Sequence, residues 1–373
     1  MKSKICIIRS NGICPDSRVE KEAACLMDSG HYVTIVAWDR DSNHPMSEEV
    51  LKTFGVEIPI VRFGYKAAFG AGMKSLKAYL KFQYSIYNWL VCNKDKYDII
   101  HACDFDTAFT SCIFHKLHKK KLVFDQFDFL YCIPQNIFQK TIRWLQHRIT
   151  DSADATIICT EERKKQLVGS IPKNLTIIHN TPPKVQIDLK KSGVNNGKIK
   201  VCYVGILQEH RLLQEISEYF KTHPEVELHI GGFGKYENLY KKLSIEYDNI
   251  KFYGRLQYDQ TLMLEKSCDI MLAIYAPYID NHIYAAPNKF YESLMLAKPL
   301  IMVKNTGMSS IIETEDIGIN IEYSLEGFTI GLEKLIKRKN EWQAMGERMI
   351  KIYNENYSWE EMKKRLINLY DTI

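Results

Sequence analysis

Short runs of β-branched and other apolar residues alternate with amphipathic stretches along the whole chain, and this alternation narrows the possible folds more than any other feature. Lys4–Arg9, Tyr32–Trp38, Glu57–Phe63, Ile99–Ala102, Lys121–Asp125, Thr156–Cys159 and Leu175–His179 read as strands in the first half. Such runs suit a parallel sheet whose two faces are both covered by helices. The stretch from Arg18 to Ser29 reads as one of those helices, with Val19, Ala23, Leu26 and Met27 apolar and Gly30 as its stop.

The pattern breaks over residues 181–198, where Thr-Pro-Pro-Lys is followed by Lys-Lys-Ser-Gly-Val-Asn-Asn-Gly-Lys. Polar residues with Pro, Gly and Asn make a linker. A second series then starts, with strands Lys200–Val204, Glu227–Gly231, Ile250–Tyr253, Ile270–Ala273 and Pro299–Val303. Helices Leu212–Thr222, Tyr236–Ile245, Tyr258–Lys266 and Asn288–Leu296 fall between them. The expected architecture is α/β, with two tandem Rossmann-like domains facing across a cleft. The first covers residues 1–180 and the second 199–355; the last stretch, 356–373, is a helix that packs back on the first domain.

A composition of 46% hydrophobic and 25% charged residues over 373 positions is that of a globular chain, and excludes a disordered, collagen-like or coiled-coil protein. The ten cysteines form no Cys-x-x-Cys pair and mostly sit in apolar runs, so they read as buried thiols in a reducing compartment. The first apolar run, Ile5–Ile8, ends at Arg9, too short for a signal-peptide core, and no later run approaches a membrane span. A cytoplasmic protein is expected, peripheral at the inner face of the membrane if something docks it there. Residues 1–190 carry 27 Lys+Arg against 20 Asp+Glu, and residues 191–373 carry 23 against 25. A basic first half either meets an anionic partner or is simply solvated.

In open α/β sheets ligands bind beyond the carboxyl ends of the strands. In the second series the run Lys200–Val204 leads into Gly205, with Arg211 at the start of the next helix. A guanidinium and free N–H groups there suit a phosphate, although a tight turn with a surface arginine gives the same pattern. Gly231, Gly232 and Gly234 follow a strand directly and permit close backbone approach to a ligand. They lack the spacing of a dinucleotide motif, and Tyr253-Gly254-Arg255 stands where such a fold needs an acid, which argues against NAD. The segment from Tyr284 to Ile301 is the most specific. Pro287 and Asn288 start a helix with Asn288 as its capping side chain, Lys289 and the helix N-terminus suit a diphosphate, and Glu292 lies one turn on. That carboxylate can accept from the two hydroxyls of a ribose, or serve only as an acid favoured by the helix dipole.

Taken in order, Gly205 with Arg211, Gly231-Gly232-Phe233-Gly234, Phe252-Tyr253-Gly254-Arg255, Cys268-Asp269-Ile270 and Pro287-Asn288-Lys289-Phe290-Tyr291-Glu292 with Lys298-Pro299 resemble the donor-binding half of GT-B glycosyltransferases, specifically the retaining glycosyltransferase family 4. The first half fits through Pro15-Asp16-Ser17-Arg18-Val19, Gly30-His31-Tyr32-Val33, Asp98-Ile99-Ile100-His101 and Asn180. The resemblance implies a retaining transfer from a UDP- or GDP-type sugar, bound mainly by the second domain, to an acceptor in the first. Gly205, Gly232, Gly234, Gly254, Arg255, Tyr284, Asn288, Lys289, Phe290 and Glu292 are then donor contacts, with Asp16 on the acceptor side. Three positions depart from the family: Tyr284 replaces its first glutamate, Ile206 its basic residue after the first glycine, and Cys103 a histidine common near the sugar.

Leaving-group departure develops charge on the diphosphate, and Arg211, Lys289 and helix N-termini can stabilise it. No metal or other cofactor is expected, and the strings Asp39-Arg40-Asp41 and Asp104-Phe105-Asp106 read as loop carboxylates. His101 and Asp104, following a strand of the first domain, are catalytic candidates beside Arg211, with a plain turn cap as the alternative for Asp104. Asp125 and Asp128 join them at another strand end. The leaving phosphate itself can take the acceptor proton.

Lys116–Lys121 and Phe138–Arg148 combine positive charge with Phe, Ile, Trp and Leu at helical spacing. They form either an anionic-membrane face, pointing to a lipid-linked glycan acceptor in surface polysaccharide or capsule synthesis, or core-packed helices with a solvated back. Nucleic acid is not an expected partner. The competing functions are a nucleotide-sugar epimerase of the same fold and a non-catalytic nucleotide-sugar-binding subunit.

Overall fold

The computed structural model describes residues 2–67, 75–183 and 197–373. The chain divides into two units, residues 1–179 with 362–373, and residues 180–361. Most of the linker read at 181–198 lies outside the described residues.

In the first unit the elements run β1 (Lys4–Arg9), α1 (Ser17–Asp28), β2 (Tyr32–Asp39), β3 (Ser47–Thr53), β4 (Val56–Gly64), α2 (Leu76–Cys92), β5 (Ile99–Cys103), α3 (Phe105–His118), β6 (Lys121–Gln126), α4 (Ile137–Ser152), β7 (Ala155–Ile158) and β8 (Leu175–Ile177). They make one sheet of order β3-β4-β2-β1-β5-β6-β7-β8, parallel throughout apart from β3, which turns back antiparallel on β4. Alternation sends Cys6, Ile8, Trp38, Ile100, Ala102 and Phe124 into the core under α2 and α3, where Trp38 stacks on Phe82 at 4.9 Å. His101 and Asp125 point the other way, toward Arg18 and Glu22 of α1. Tyr370, from the returning C-terminal segment, meets them on that side.

The second unit runs β9 (Ile199–Ile206), α5 (Leu213–Thr222), β10 (Val226–Phe233), α6 (Glu237–Glu246), β11 (Ile250–Phe252), α7 (Tyr258–Ser267), β12 (Ile270–Ala273), α8 (Asp280–Ile283), α9 (Asn288–Leu296), β13 (Leu300–Val303), α10 (Ser309–Thr314), β14 (Gly318–Ile321), α11 (Leu325–Lys337) and α12 (Trp342–Ile352), and α13 (Trp359–Thr372) leads back into the first. Its sheet, β11-β10-β9-β12-β13-β14, is wholly parallel. Val201, Leu228, Ile270 and Ile301 pack under α5, α6 and α11, while Cys202, Met271, Leu300 and Met302 pack under α7, α9 and α12. Both units are therefore doubly wound α/β layers of the kind the alternation predicts.

Two expectations need correction here. Seven of the ten thiols are buried, but Cys14 and Cys92 are exposed and Cys132 is half-buried. The strand pattern missed β3, an edge strand on which only Leu51 is buried, and β14, a four-residue edge strand. Among the described residues no helix is long and apolar enough to cross a membrane.

Candidate functional site

The strand order of the second sheet reverses between β9 and β12. These two pair only at Val201–Ile270 and Cys202–Met271, whereas β9 continues beside β10 as far as Ile206. Beyond Cys202 the neighbours diverge, leaving a crevice at the carboxyl ends, where sheets of this order bind ligands.

Gly205 stands at that crevice. A Cβ added there would lie 2.7 Å from Nζ of Lys289, so the missing side chain lets the ammonium approach the main chain. Lys289 is the second residue of α9, whose cap position is Pro287 with no side-chain cap. Of the first-turn N–H groups that of Phe290 donates to the Pro287 carbonyl at 2.9 Å, and those of Asn288 and Lys289 receive no side-chain cap. Nζ also stands 4.8 Å from the centre of the Tyr203 ring. Burial works against its charge, but Tyr275, Tyr203, Glu292 and Glu265 outweigh it and hold the ammonium above its ordinary range.

Arg211 reaches the same place from the segment before α5. Its guanidinium lies 4.1 Å over the Tyr275 ring, donates to Nε2 of His282 at 3.0 Å and stands close enough to the Tyr203 hydroxyl to act on its charge. Two cations thus share one tyrosine at the end of β9. One turn into α9, Glu292 is 4% exposed, and burial and then its charge push the nearby Tyr258 hydroxyl above its ordinary range. Glu265 of α7 is 1% exposed, with no hydrogen-bond partner for Oε2 among the described residues. Burial, and then the Glu292 charge, push its carboxyl well up.

The glycine run at the end of β10, Gly231, Gly232 and Gly234, lies against β9 on its other side. Gly232 has φ +139°, and a Cβ on it would fall 1.8 Å from the Gly205 carbonyl oxygen; at Gly234 it would fall 2.8 Å from that of Leu207. Gly254 takes φ +66° in a turn whose carbonyl accepts from the Gly232 N–H at 2.7 Å. Arg255 lies 4.6 Å over the exposed Phe233 ring.

In the first unit the order also reverses, between β1 and β5, and a second polar cluster gathers there. Arg9, the last residue of β1, pairs with Asp16 at 2.8 Å and with Asp104. Asp104 also accepts from the N–H groups of Phe127 and Asp128 at 2.9 and 3.1 Å. Its backbone, φ 65° and ψ 166°, lies in a region nearly reserved for glycine, a strain of roughly 1–3 kcal/mol that these contacts offset. Burial, with Asp106 and Asp128 nearby, pushes its carboxyl up to about 6 against the pull of Arg9. The Phe127 ring sits between the guanidinia of Arg9 and Arg18, at 4.2 and 4.7 Å.

Sequence comparison fits this geometry. The model of the family "Glycosyl transferases group 1" matches residues 184–367, and that of "Glycosyltransferase Family 4" matches residues 17–181. The chain is a GT-B glycosyltransferase. Among solved structures, sucrose-phosphate synthase from Thermosynechococcus elongatus is 13% identical with a TM-score of 0.74, covering 100% of this chain and 99% of its own. The α,α-trehalose 6-phosphate synthase of Burkholderia multivorans is 12% identical with a TM-score of 0.72, covering 99% and 98%. Anabaena HepE in complex with UDP-glucose is 13% identical with a TM-score of 0.68, covering 100% of both chains. At these identities the likeness is one of fold. No curated protein matches the sequence.

Within this glycosyltransferase, Gly205, Arg211, Gly232, Gly234, Lys289 and Glu292 come together around the end of β9. Three expectations shift. Asn288 is not a cap but the exposed first residue of α9, because Pro287 takes the cap position without an acceptor side chain. Arg211 lies two residues ahead of α5 rather than at its start, since left-handed His210 and Leu212 delay the helix. The Phe290 side chain is fully buried against Tyr291 and Tyr357, so it supports α9 from the core. Tyr284 ends α8 and is half-buried.

On the first unit, Asp16 caps α1 and bonds Arg9, and Asp128 pairs with Arg163 at 2.9 Å. His101 does not follow β5 but lies inside it, fully buried, with Nδ1 2.7 Å from the Tyr370 hydroxyl and Nε2 3.4 Å from Asp125. Asp104 takes the N-cap position of α3, yet its side chain makes no capping bond. His101, Cys103 and Asp125 bring ligand atoms within 4.8 Å of one another, but Arg18 already grips Asp125 through two nitrogens, and a cation there would face that guanidinium. Arg9 and His282 escaped the sequence reading, because neither stands in a motif and their partners are distant in the chain.

Proposed function

We propose that the second unit of this glycosyltransferase holds the diphosphate of a UDP- or GDP-type sugar between Arg211, Lys289 and the uncapped first turn of α9, with Glu292 on the ribose. The convergence of two cations on Tyr203 beside Gly205 is the observation that carries this reading. HepE, of similar fold, has been solved in complex with UDP-glucose. A fixed guanidinium and ammonium, preorganised by Tyr203 and Tyr275, stabilise the charge that develops as the diphosphate leaves, the work a divalent cation does in other transferases. The sugar passes to the acceptor with retained configuration, and the departing phosphate takes the acceptor proton. Asp104, whose carboxyl burial pushes up to about 6, holds Arg9 on the acceptor side.

Calorimetric titration with UDP, GDP, CMP, ADP and NAD, with and without magnesium, tests this. Selective binding of UDP or GDP that magnesium does not alter is expected. Binding of NAD alone, or of no nucleotide, overturns the reading. Glu292→Ala is expected to weaken the preferred nucleotide by about 1.5–3 kcal/mol, the worth of charge-assisted bonds to the ribose. An unchanged dissociation constant removes Glu292 from the site.

The acceptor in this proposal is a lipid-linked glycan of surface polysaccharide synthesis, met at an anionic membrane surface. A cavity of about 540 Å³ opens between α3 and α4, lined by Phe109, Ile113, Trp144, Leu145 and Ile149 with Lys116 and Arg148. Trp144, Phe138 and Leu117 are largely exposed nearby. An apolar face with Lys116 and the Arg148–Asp151 ion pair, 2.8 Å apart, at its rim resembles an interfacial helix pair. Cosedimentation with phosphatidylglycerol vesicles but not phosphatidylcholine vesicles is expected, weakened by Trp144→Ser with Phe138→Ser. Equal absence from both pellets at moderate salt contradicts the membrane reading.

A further inference from the structure

Arg211 is a long side chain at the edge of a crevice, and its aim depends on what holds it. Tyr275 supplies a face at 4.1 Å, and the remaining partner of defined direction is His282, whose Nε2 lies 3.0 Å from Nη1. A guanidinium has no lone pair to offer, so Nε2 must be the acceptor. The other ring nitrogen, Nδ1, faces the Ala276 carbonyl at 3.0 Å, and a carbonyl only accepts, so Nδ1 carries the proton. Both contacts are satisfied by a single state, the neutral Nδ1–H tautomer.

The imidazole is itself fixed. The His282 carbonyl accepts from the Gly307 N–H at 3.0 Å and from the Ala285 N–H at 3.3 Å, and its ring meets that of Tyr275 edge to face at 5.2 Å. Gly307 is tied in by its bareness, since a Cβ there would sit 2.3 Å from the Ala285 carbonyl oxygen. The same loop also reaches the segment before α5, where the Ala276 N–H donates to the His210 carbonyl at 3.2 Å and the Tyr278 hydroxyl meets His210 Nδ1 at 2.9 Å.

We infer that His282 is a positioning residue for the diphosphate, which fixes the guanidinium of Arg211 toward the phosphate groups by accepting from Nη1 while Nδ1–H anchors the ring to Ala276. This rests on the reading of Arg211 as a diphosphate ligand. Asparagine at 282 places its amide near Nδ1 and keeps the bond to Ala276 without an acceptor for Arg211; glutamine places its oxygen near Nε2 and keeps that acceptor.

The test is calorimetric titration of the wild type, His282→Asn, His282→Gln and Arg211→Ala with UDP and UMP, repeated with GDP and GMP. The preference for diphosphate over monophosphate is expected to fall roughly 10- to 100-fold in His282→Asn and in Arg211→Ala, as for loss of a bond to a charged group, with monophosphate affinity unchanged. His282→Gln is expected to restore the preference to within about threefold of wild type, and the two losses not to add in the double variant. If Arg211→Ala loses the preference and His282→Asn keeps it, the positioning role is wrong and the Arg211 assignment stands. If Arg211→Ala keeps it, both fall. Equal weakening of both nucleotides in His282→Asn shows a purely structural role and also overturns the inference.

Discussion

Arg18→Ala is expected to destabilise the first unit by about 3–5 kcal/mol, the cost of stripping the partner from a buried charge. Arg18 donates to both oxygens of Asp125, at 2.8 and 3.2 Å, stands 3.2 Å from Glu22, and donates to the Ile178 carbonyl at 2.6 Å. Asp125 and Glu22 are 0% and 1% exposed, and one guanidinium cannot neutralise two carboxylates. The structure resolves this unequally. Burial pushes against the Asp125 charge, but Arg18 and then His101 hold its carboxyl below the ordinary range, whereas burial lifts that of Glu22 well above it. In the wild type the Asp125 contribution is full above the unfolded carboxylate value and lost as pH falls through the folded one. Without Arg18 the Asp125 value moves up, so the variant suffers most at neutral pH and recovers as the carboxyl takes a proton. Urea unfolding of both proteins from pH 7.5 to 5 should show a gap that narrows toward acid. A gap independent of pH would mean that lost packing, not charge, is the cause.

Gly232→Ala is expected to abolish nucleotide binding, by more than about 100-fold, and to cost about 3 kcal/mol or more of stability, as strain at a crowded positive-φ site does. Gly232 stands opposite Gly205 in the β9–β10 ladder, and the added carbon would lie 1.8 Å from the Gly205 carbonyl oxygen. Main chain, unlike a side-chain tip, has no rotamer to retreat into. The end of β9 must shift, carrying with it the surface that Lys289 approaches. Gly55→Ala, in the turn between β3 and β4, is the control: φ is +81° but among the described residues nothing lies within 4 Å of an added Cβ, so only the left-handed penalty of about 1–2 kcal/mol applies. Thermal unfolding with UDP or GDP titration separates the two. Equal behaviour of the two variants would refute the close-contact account.

Local sequence carried the layers of this fold and much less of its site. Strands such as Ile5–Ile8 and Ile270–Ala273 are legible because burial on both faces demands unbroken apolar runs. β3 was illegible for the opposite reason: an edge strand leaves Glu48, Glu49 and Val50 exposed and needs no such run. Glu292 and Lys289 were legible as a spacing on one helix. That Lys289 ends beside Gly205, 84 positions earlier in the sequence, was not, because only β9 and α9 packed together bring them into contact. Ile206 stands where the family has a basic residue, yet the ammonium of Lys289 stands over the preceding Gly205 and supplies charge there from another segment. Arg9 and His282 are single residues whose meaning lies in distant partners, Asp104 and Arg211.

The backbone at Asp104 bears on how this chain can be improved. A glycine there would adopt φ 65°, ψ 166° without strain. The same exchange would leave Arg9 with one carboxylate fewer and the N–H groups of Phe127 and Asp128 without their acceptor. Relief of backbone strain and a finished polar cluster are therefore opposed at this one position, and a hardened variant of the enzyme has to gain its stability elsewhere.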